Sequence, residues 1–347
     1  MTRKKKKATI HDISKALGFN SSTVSRALND SPLIADKTKK IILEKSKELG
    51  YQRNSLASKL RTNKTKTIGV IVPRIARHFC SSVIAGIEEM AFDKGYDVII
   101  CQSLETVKRE KKLLDTLLAN RVDGVLIAIS METTNFDHLE NYKNEGFPLL
   151  FFDRPCDIEG CTNVVIDDFK ASFDATEHLI RKGCKNIVHF SGPKTLALYR
   201  NRWRGYRAAL EKNNIPLNDN YIFESKLMEK DGVIGAQKIL SLPEVDGVFS
   251  ANDTTAISAM QYLKKNGKNV PEDIAFVGFN NEPMSAVFAP SLTTIHQPGF
   301  EMGRMASSLL FEEIDGTRRV KGDQVKVLNP ELIIRDSTSK HMLSESI

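Results

Sequence analysis

From about position 66 onward the chain alternates two textures of hydrophobic residue. Short apolar runs rich in β-branched side chains occur at 68–72, 97–101, 124–129, 149–152, 163–166, 187–190, 247–251 and 274–277. Between them lie segments whose apolar positions recur every three or four residues, at 80–94, 108–120, 169–181, 203–212 and 254–265. Runs that do not alternate with polar positions predict strands buried on both faces, and helices must supply that cover. The body is therefore expected to be α/β with parallel sheets. Roughly 270 residues exceed what one sheet conveniently carries, so two lobes with a cleft between them follow. After Thr338 the periodicity stops, and residues 339–347 are expected to be a disordered tail.

The first fifty residues follow a different pattern, all helical. Thr9 with Asp12 three positions on forms a capping-box signature, and Ile10, Ile13, Ala16 and Leu17 then recur at helical spacing. Gly18-Phe19-Asn20 interrupts, and Asn20 is placed to cap a second helix from Ser21 to Asn29 that buries Val24, Ala27 and Leu28. Two short helices joined by a tight glycine turn make a helix-turn-helix. Asp36 is expected to cap a third helix carrying Ile41, Ile42, Lys45 and Leu49 on one side, with Gly50 as its stop. Such a bundle buries little, yet enough for a small DNA-binding headpiece, assigned to residues 1–52. Residues 53–65 form a linker whose stretch Asn54-Ser55-Leu56-Ala57-Ser58-Lys59-Leu60-Arg61 has helix-forming composition. It is too short to be a stable helix alone. Either it packs on the body, or it folds on DNA and presents a leucine as a minor-groove wedge.

Charge sharpens this division. Residues 1–65 hold sixteen Lys/Arg against five Asp/Glu, a net +11, whereas the rest of the chain is at −4, giving the overall +7. A polyanion partner for the N-terminal segment is one explanation and a solubilising basic tail is the other. The basic opening Arg3 to Lys7 is followed by a stretch with His11, Asp12 and Lys15, not by the apolar run of a signal peptide. No run is long and apolar enough to span a bilayer, so a cytoplasmic protein with no membrane partner is expected. Five scattered cysteines, in no metal-ligand pattern, suit reduced thiols and give no reason to expect a cofactor or metal. There is no Walker A sequence, no GxGxxG after the first strand and no GxSxG, and His178 and His189 have no nucleophile motif to serve, so no enzyme is indicated.

The second helix opens Ser21-Ser22-Thr23-Val24-Ser25-Arg26, and a helix entering the major groove reads bases with its first exposed residues. Ser21, Ser22 and Arg26 are the candidate readers; serines discriminate between bases less than arginine does. In the body, Phe79 and Val83 follow the first strand, Asp153 ends FFDRP, and Arg202 stands three residues before Gly205. Asn252-Asp253 ends GVFSA, Asn280 follows Gly278-Phe279, and Gln297 follows LTTIH. Polar residues at the carboxyl ends of parallel strands point into the crevice, where a hydroxyl-rich ligand needs paired donors and acceptors. Each could instead cap a loop. Trp203, the only tryptophan, could stack on a sugar face or belong to a helix core.

ATIHDISKALGFNSSTVSRALND, then YQRNSLASKLRT and TIGVIVP, through to NPELIIRDST, together resemble the lactose-repressor family of bacterial transcription regulators over about nine tenths of the chain. The resemblance implies a helix-turn-helix headpiece, a hinge helix, and a two-lobed core (66–338) like the periplasmic sugar-binding proteins. It implies a homodimer or higher oligomer on double-stranded, pseudo-palindromic operator DNA. In that pattern Ser21, Ser22 and Arg26 fall on recognition-helix contacts and Leu60 on the leucine wedge beside Ala57. Thr9, Asn20, Thr23, Ser25, Asn29, Tyr51 and Asn54 complete the candidate DNA contacts. Phe79, Val83, Asp153, Arg202, Asn252, Asp253, Asn280 and Gln297 are the candidate effector contacts. The family usually carries an aspartate where this chain has Asn280, and Arg77-His78 adds basic character that suits an acidic or phosphorylated sugar as well as a neutral one. The reading is a repressor of carbohydrate-utilisation genes controlled by a sugar or sugar phosphate. Its alternative is a solute-binding protein of the same core fold.

Overall fold

Thr9 closes the first turn of α1 (Ile10–Leu17) reciprocally: its amide donates to Asp12 Oδ2 at 2.7 Å, and the Asp12 amide donates back to Thr9 Oγ1 at 3.3 Å. Gly18, at φ 71°, ends the helix in the left-handed conformation that a side chain would strain. The second helix, α2, covers Ser21–Leu28, and α3 covers Asp36–Glu48. Ala35, not Asp36, is the N-cap of α3; Asp36 sits in the first turn, where its charge faces the helix dipole and Lys39 approaches to 3.5 Å. Ile13, Val24, Ala27 and Ile42 form the buried cluster, flanked by Leu17, Phe19, Leu28 and Tyr51. Of the expected side of α3 only Ile42 is buried and Lys45 is half-buried; Ile41 and Leu49 stay exposed because the helix turns only a narrow stripe, Ile42 and Ser46, inward.

This is the computed structural model of the chain, and it describes residues 8–51, 64–242, 244–317 and 324–339. The chain divides after Thr65 into two units. The linker positions Asn54, Ala57 and Leu60, and the tail from 340 onward, lie outside the described residues.

The second unit opens with β1 (Thr67–Val72), α4 (His78–Asp93), β2 (Asp97–Gln102), α5 (Val107–Ala119), β3 (Gly124–Ile127), α6 (Asp137–Asn144), β4 (Leu149–Phe152) and β5 (Thr162–Ile166). The chain then crosses to a second lobe. There it builds α7 (Asp168–Arg181), β6 (Ile187–Ser191), α8 (Ala197–Lys212), β7 (Ile222–Glu224), α9 (Glu229–Leu240) and β8 (Gly247–Ser250). That lobe continues with α10 (Asp253–Lys265), β9 (Ala275–Phe279), α11 (Pro283–Val287) and β10 (Thr293–His296). It returns to the first lobe for α12 (Gly299–Ile314) and β11 (Gln324–Leu328), and β12 (Glu331–Ile333) closes the second lobe. Three crossovers thus join the lobes.

Each lobe holds a six-stranded sheet, in the order β11-β5-β4-β3-β1-β2 and β12-β10-β9-β8-β6-β7. All pairings are parallel except that of β12 with β10. The inner strands are buried, save the half-buried His296 that ends β10, and pack on both faces. Ile68, Val70 and Val72 of β1 enter one hydrophobic cluster and Ile71 the other. Helix α8 begins at Ala197, six residues before the segment its apolar spacing marks, because Arg202 is buried within it and breaks the apolar pattern. All five cysteines are free. Among the described residues no helix is long and apolar enough to cross a membrane, and no cluster of metal-ligating side chains occurs.

Candidate functional site

Between the lobes, beyond the carboxyl ends of the parallel strands, lies a cavity of about 210 Å³. That is more than ten times the roughly 10–15 Å³ one water requires, so the space fits a small organic molecule. The first lobe lines it with Arg74, Arg77, Phe79, Glu105, Asp153 and Arg154. The second contributes Tyr199, Arg202, Asn252, Asn280 and Gln297. Backbone strain concentrates here. Among the described residues ten that are not glycine have positive φ, and five of these line the cavity: Leu104, Glu105, Asp153, Leu227 and Asn280. Strained loop ends persist where the surrounding structure over-determines them, which is common at binding sites.

Two buried ion pairs frame the walls. Arg154 forks onto Glu105 with Nη1 at 2.8 Å from Oε2 and Nη2 at 3.0 Å from Oε1, and Nη1 also donates to the Ile129 carbonyl at 2.7 Å. Burial opposes both charges, yet the pairing prevails, holding Glu105 below the usual carboxylate range and Arg154 above the usual guanidinium range. Across the cleft, Arg202 donates from Nε to Asp168 Oδ1 and from Nη1 to the Ala251 carbonyl, both at 2.8 Å, and its guanidinium lies 3.5 Å from the Phe279 ring centre. This placement depends on Gly205. A Cβ there would stand 2.2 Å from the Phe169 carbonyl, so only glycine lets α8 settle on α7. Burial pushes Asp168 up to about 6, against the pull of Arg202.

The groups left with hydrogen-bonding capacity are the informative ones. Gln297 donates through Nε2 to Asn280 Oδ1 at 2.7 Å, while its Oε1 is buried without a protein partner. Arg154 Nε is likewise buried and unpartnered, with the Asp153 carboxylate 3.9 Å away. Unpaired buried polar groups are costly, and a ligand rich in hydroxyls would satisfy both. Burial, opposed by Arg154 and Arg202, raises the Asp153 carboxyl above its ordinary value.

The structure brings together six of the eight expected effector residues, Phe79, Asp153, Arg202, Asn252, Asn280 and Gln297, on the wall of this cavity. Val83 and Asp253 do not line it. Val83 is fully buried with Met302 and Ala306 in the core. Asp253 turns away from the cleft, accepting from Thr294 Oγ1 at 2.6 Å and from the Glu282 amide at 2.7 Å, and burial pushes its carboxyl up to about 7. The close approach of Asp253 Oδ1 to β9 requires Gly278, where a Cβ would lie 2.1 Å from it. Trp203 lies off the cavity, with Lys194 and Arg207 over its ring. Sequence reasoning missed Arg74, Glu105, Arg154 and Tyr199. Only Arg154, inside the FFDRP motif, carried a signal that could have found it.

In the headpiece, Ser22 and Arg26 on α2 and Asn29 at its C-cap form an exposed stripe. Ser21 is half-buried, its hydroxyl 3.1 Å from His11 Nδ1, and Thr23 and Ser25 are half-buried beside it. Asn20 makes no side-chain cap, Thr9 is engaged with Asp12, and Tyr51 flanks the buried cluster.

Comparison with known proteins adds independent findings. Residues 9–54 match the description "Bacterial regulatory proteins, lacI family", and residues 65–330 match "Periplasmic binding proteins and sugar binding domain of LacI family". The chain is 32% identical to the HTH-type transcriptional regulator DegA of Bacillus subtilis over 334 residues, covering 96% of this chain and 98% of that protein. It is 31% identical to the HTH-type transcriptional repressor PurR of Pasteurella multocida, covering 96% of this chain and all of that one. Among solved structures, the lac repressor dimer bound to operator and the anti-inducer ONPF superposes with a TM-score of 0.85 at 26% identity, covering 96% and 99% of the two chains.

Proposed function

The chain belongs to the lacI family of bacterial regulatory proteins, and from that premise we propose that it represses carbohydrate-utilisation genes by binding operator DNA under the control of a sugar-like effector. The observation that carries this reading is the cleft. Its walls come from both lobes, its buried Gln297 Oε1 and Arg154 Nε await partners, and it belongs to a chain with a helix-turn-helix headpiece.

Residues 1–52 act as headpiece, 53–65 as hinge and 66–338 as effector-binding and dimerisation core. Ser22, Arg26 and Asn29 face the major groove, Thr9, Asn20 and Tyr51 support phosphate contacts, and Leu60 wedges the minor groove beside Ala57. Phe79, Asp153, Arg202, Asn252, Asn280 and Gln297 hold the effector. Binding proceeds without turnover. The relatives, named as a transcriptional regulator and a transcriptional repressor, support this reading. The protein works as a homodimer or larger homo-oligomer in the bacterial cytoplasm, where operator DNA is met. Effector binding favours one arrangement of the lobes, and that arrangement biases hinge formation on DNA, a coupling between two sites.

The test is selection of duplexes from a randomised pool by the full chain, followed by anisotropy titration of the enriched site. A pseudo-palindromic sequence, an affinity falling steeply with salt, and a loss of affinity in Arg26→Ala are expected. Failure to enrich any sequence, or unchanged binding by Arg26→Ala, would contradict the reading.

A further inference from the structure

We infer that the ligand of this cleft is a monosaccharide-sized sugar carrying an anionic group, a carboxylate or a phosphate, held at the cleft mouth by Arg74, Arg77 and Lys226. The inference rests on the effector reading above and deepens it.

Five cations line the cavity, and two are neutralised: Arg154 by Glu105 and Arg202 by Asp168. Among the described residues the other three form no ion pair. Among the described residues the side chains of Arg74 and Lys226 form no hydrogen bond or ion pair, although the Arg74 charge helps Arg154 hold Glu105 ionised, and the Arg77 guanidinium bonds only to neutral groups, the Thr254 hydroxyl, the Leu227 carbonyl at 3.3 Å and Met228 Sδ at 3.6 Å. Position sorts these charges. Arg74, Arg77 and Lys226 also line a shallower groove that continues outward from the cavity and adds Lys230, whereas Asp153, Arg202, Asn280 and Gln297 line the cavity alone. Against these four mouth cations stand Glu132 and Glu229, both exposed. The mouth therefore keeps a positive excess and the floor offers hydrogen bonds.

The mouth is also built to hold an anion in place. Arg77 is the N-cap of the sixteen-residue helix α4, whose first turn contributes Phe79 and Cys80 to the cavity wall. A helix N-terminus adds oriented amides and a favourable dipole to the guanidinium charge. Arg77 belongs to the first lobe and its partners Leu227 and Thr254 to the second, so an anion seated there would touch the residue that already ties the lobes together. At the floor, Gln297 Oε1 and Arg154 Nε serve the hydroxyls of the same molecule. A neutral sugar would satisfy the floor and leave the mouth charges uncompensated, while inorganic phosphate would do the reverse.

The experiment is titration calorimetry of the full chain at low ionic strength. The panel is five- and six-carbon aldoses and ketoses, each matched with its aldonic acid, uronic acid and phosphate ester, plus inorganic phosphate alone. At least one anionic sugar should bind about tenfold or more tightly than its neutral parent, by analogy with charge-assisted hydrogen bonds, and added salt should narrow the ratio. The carboxylate and phosphate arms identify which anion is meant. Arg74→Gln and, as an exposed second variant that spares the fold, Lys226→Gln should each shrink the anionic-to-neutral ratio. A neutral sugar that binds as tightly as its anionic forms and alters operator affinity would overturn the charge inference and leave the effector reading standing. If no panel member binds, the effector reading itself falls.

Discussion

The first lobe meets the cavity with Arg74, Arg77, Asp153 and Arg154, and the second meets it chiefly with the amides Asn252, Asn280 and Gln297 around the clasped Arg202. The two lobes repeat one architecture, a parallel sheet between helices, so this contrast owes nothing to topology. It arises in the loops after the strands, which the sheets position without dictating their chemistry. A ligand bridging both walls must offer charge or polarised oxygens to one and a donor-acceptor pattern to the other. The lobes' buried ion pairs differ as well. Glu105 is held ionised by a forked guanidinium, whereas Asp168 stays raised to about 6 despite Arg202.

The largest expected effect breaks this contrast directly. Arg154→Met strands Glu105 and should cost about 3–5 kcal/mol of unfolding free energy in urea titration, with Glu105→Gln added in the same chain recovering part of it. Arg202→Met should cost a similar amount at pH 7.5 and less at pH 5, because Asp168 already takes a proton near 6 and can neutralise itself. Equal losses at both pH values would contradict the assigned difference.

The pH dependence of stability follows, with opposite signs for Asp253 and Glu105. Burial raises the Asp253 carboxyl from 3.8 to about 7, so its contribution is fully present below about pH 4 and is lost as pH rises through about 7. Asp253→Asn should flatten that part of the stability curve, on the order of 2–4 kcal/mol. Glu105 is lowered, so its contribution is present above about 4.5 and is lost as pH falls through its lowered value. A smaller effect separates the second lobe's amides from its fold. Gln297→Ala should weaken effector binding by about 1–3 kcal/mol in calorimetry, with a melting temperature close to that of the unaltered chain. Smallest is Thr9→Ala, which removes a helix cap within the headpiece and should cost about 1 kcal/mol of headpiece stability without altering ligand affinity.

The sequence reveals some of these elements better than others, for physical reasons. Strands β1, β3, β4, β5, β6, β8 and β9 are buried on both faces and therefore read as apolar runs. Edge strands β7, β11 and β12 carry exposed positions such as Lys326 and Glu331, have no such run, and escape that reading; β10 escapes it because Thr293 and Thr294 are buried polar residues. At the site, motif order leads to Asp153, Asn280 and Gln297, which end strands. It does not lead to Arg74 and Tyr199, whose approach depends on how two lobes separated in sequence face each other. Asp253 illustrates the converse: its place beside Asn252 suggests the cleft, but one residue of helical rotation turns it into the core.

The central claim is that occupancy of the cleft sets operator affinity. Its most direct test is anisotropy titration of the full chain on its selected operator, with and without the panel sugar shown by calorimetry to bind, in the unaltered chain and in Gln297→Ala. The account predicts that saturating ligand shifts operator affinity by about fivefold or more, and that Gln297→Ala shows the same shift only at about tenfold higher ligand. A ligand that fills the cleft and leaves operator affinity unchanged would contradict it.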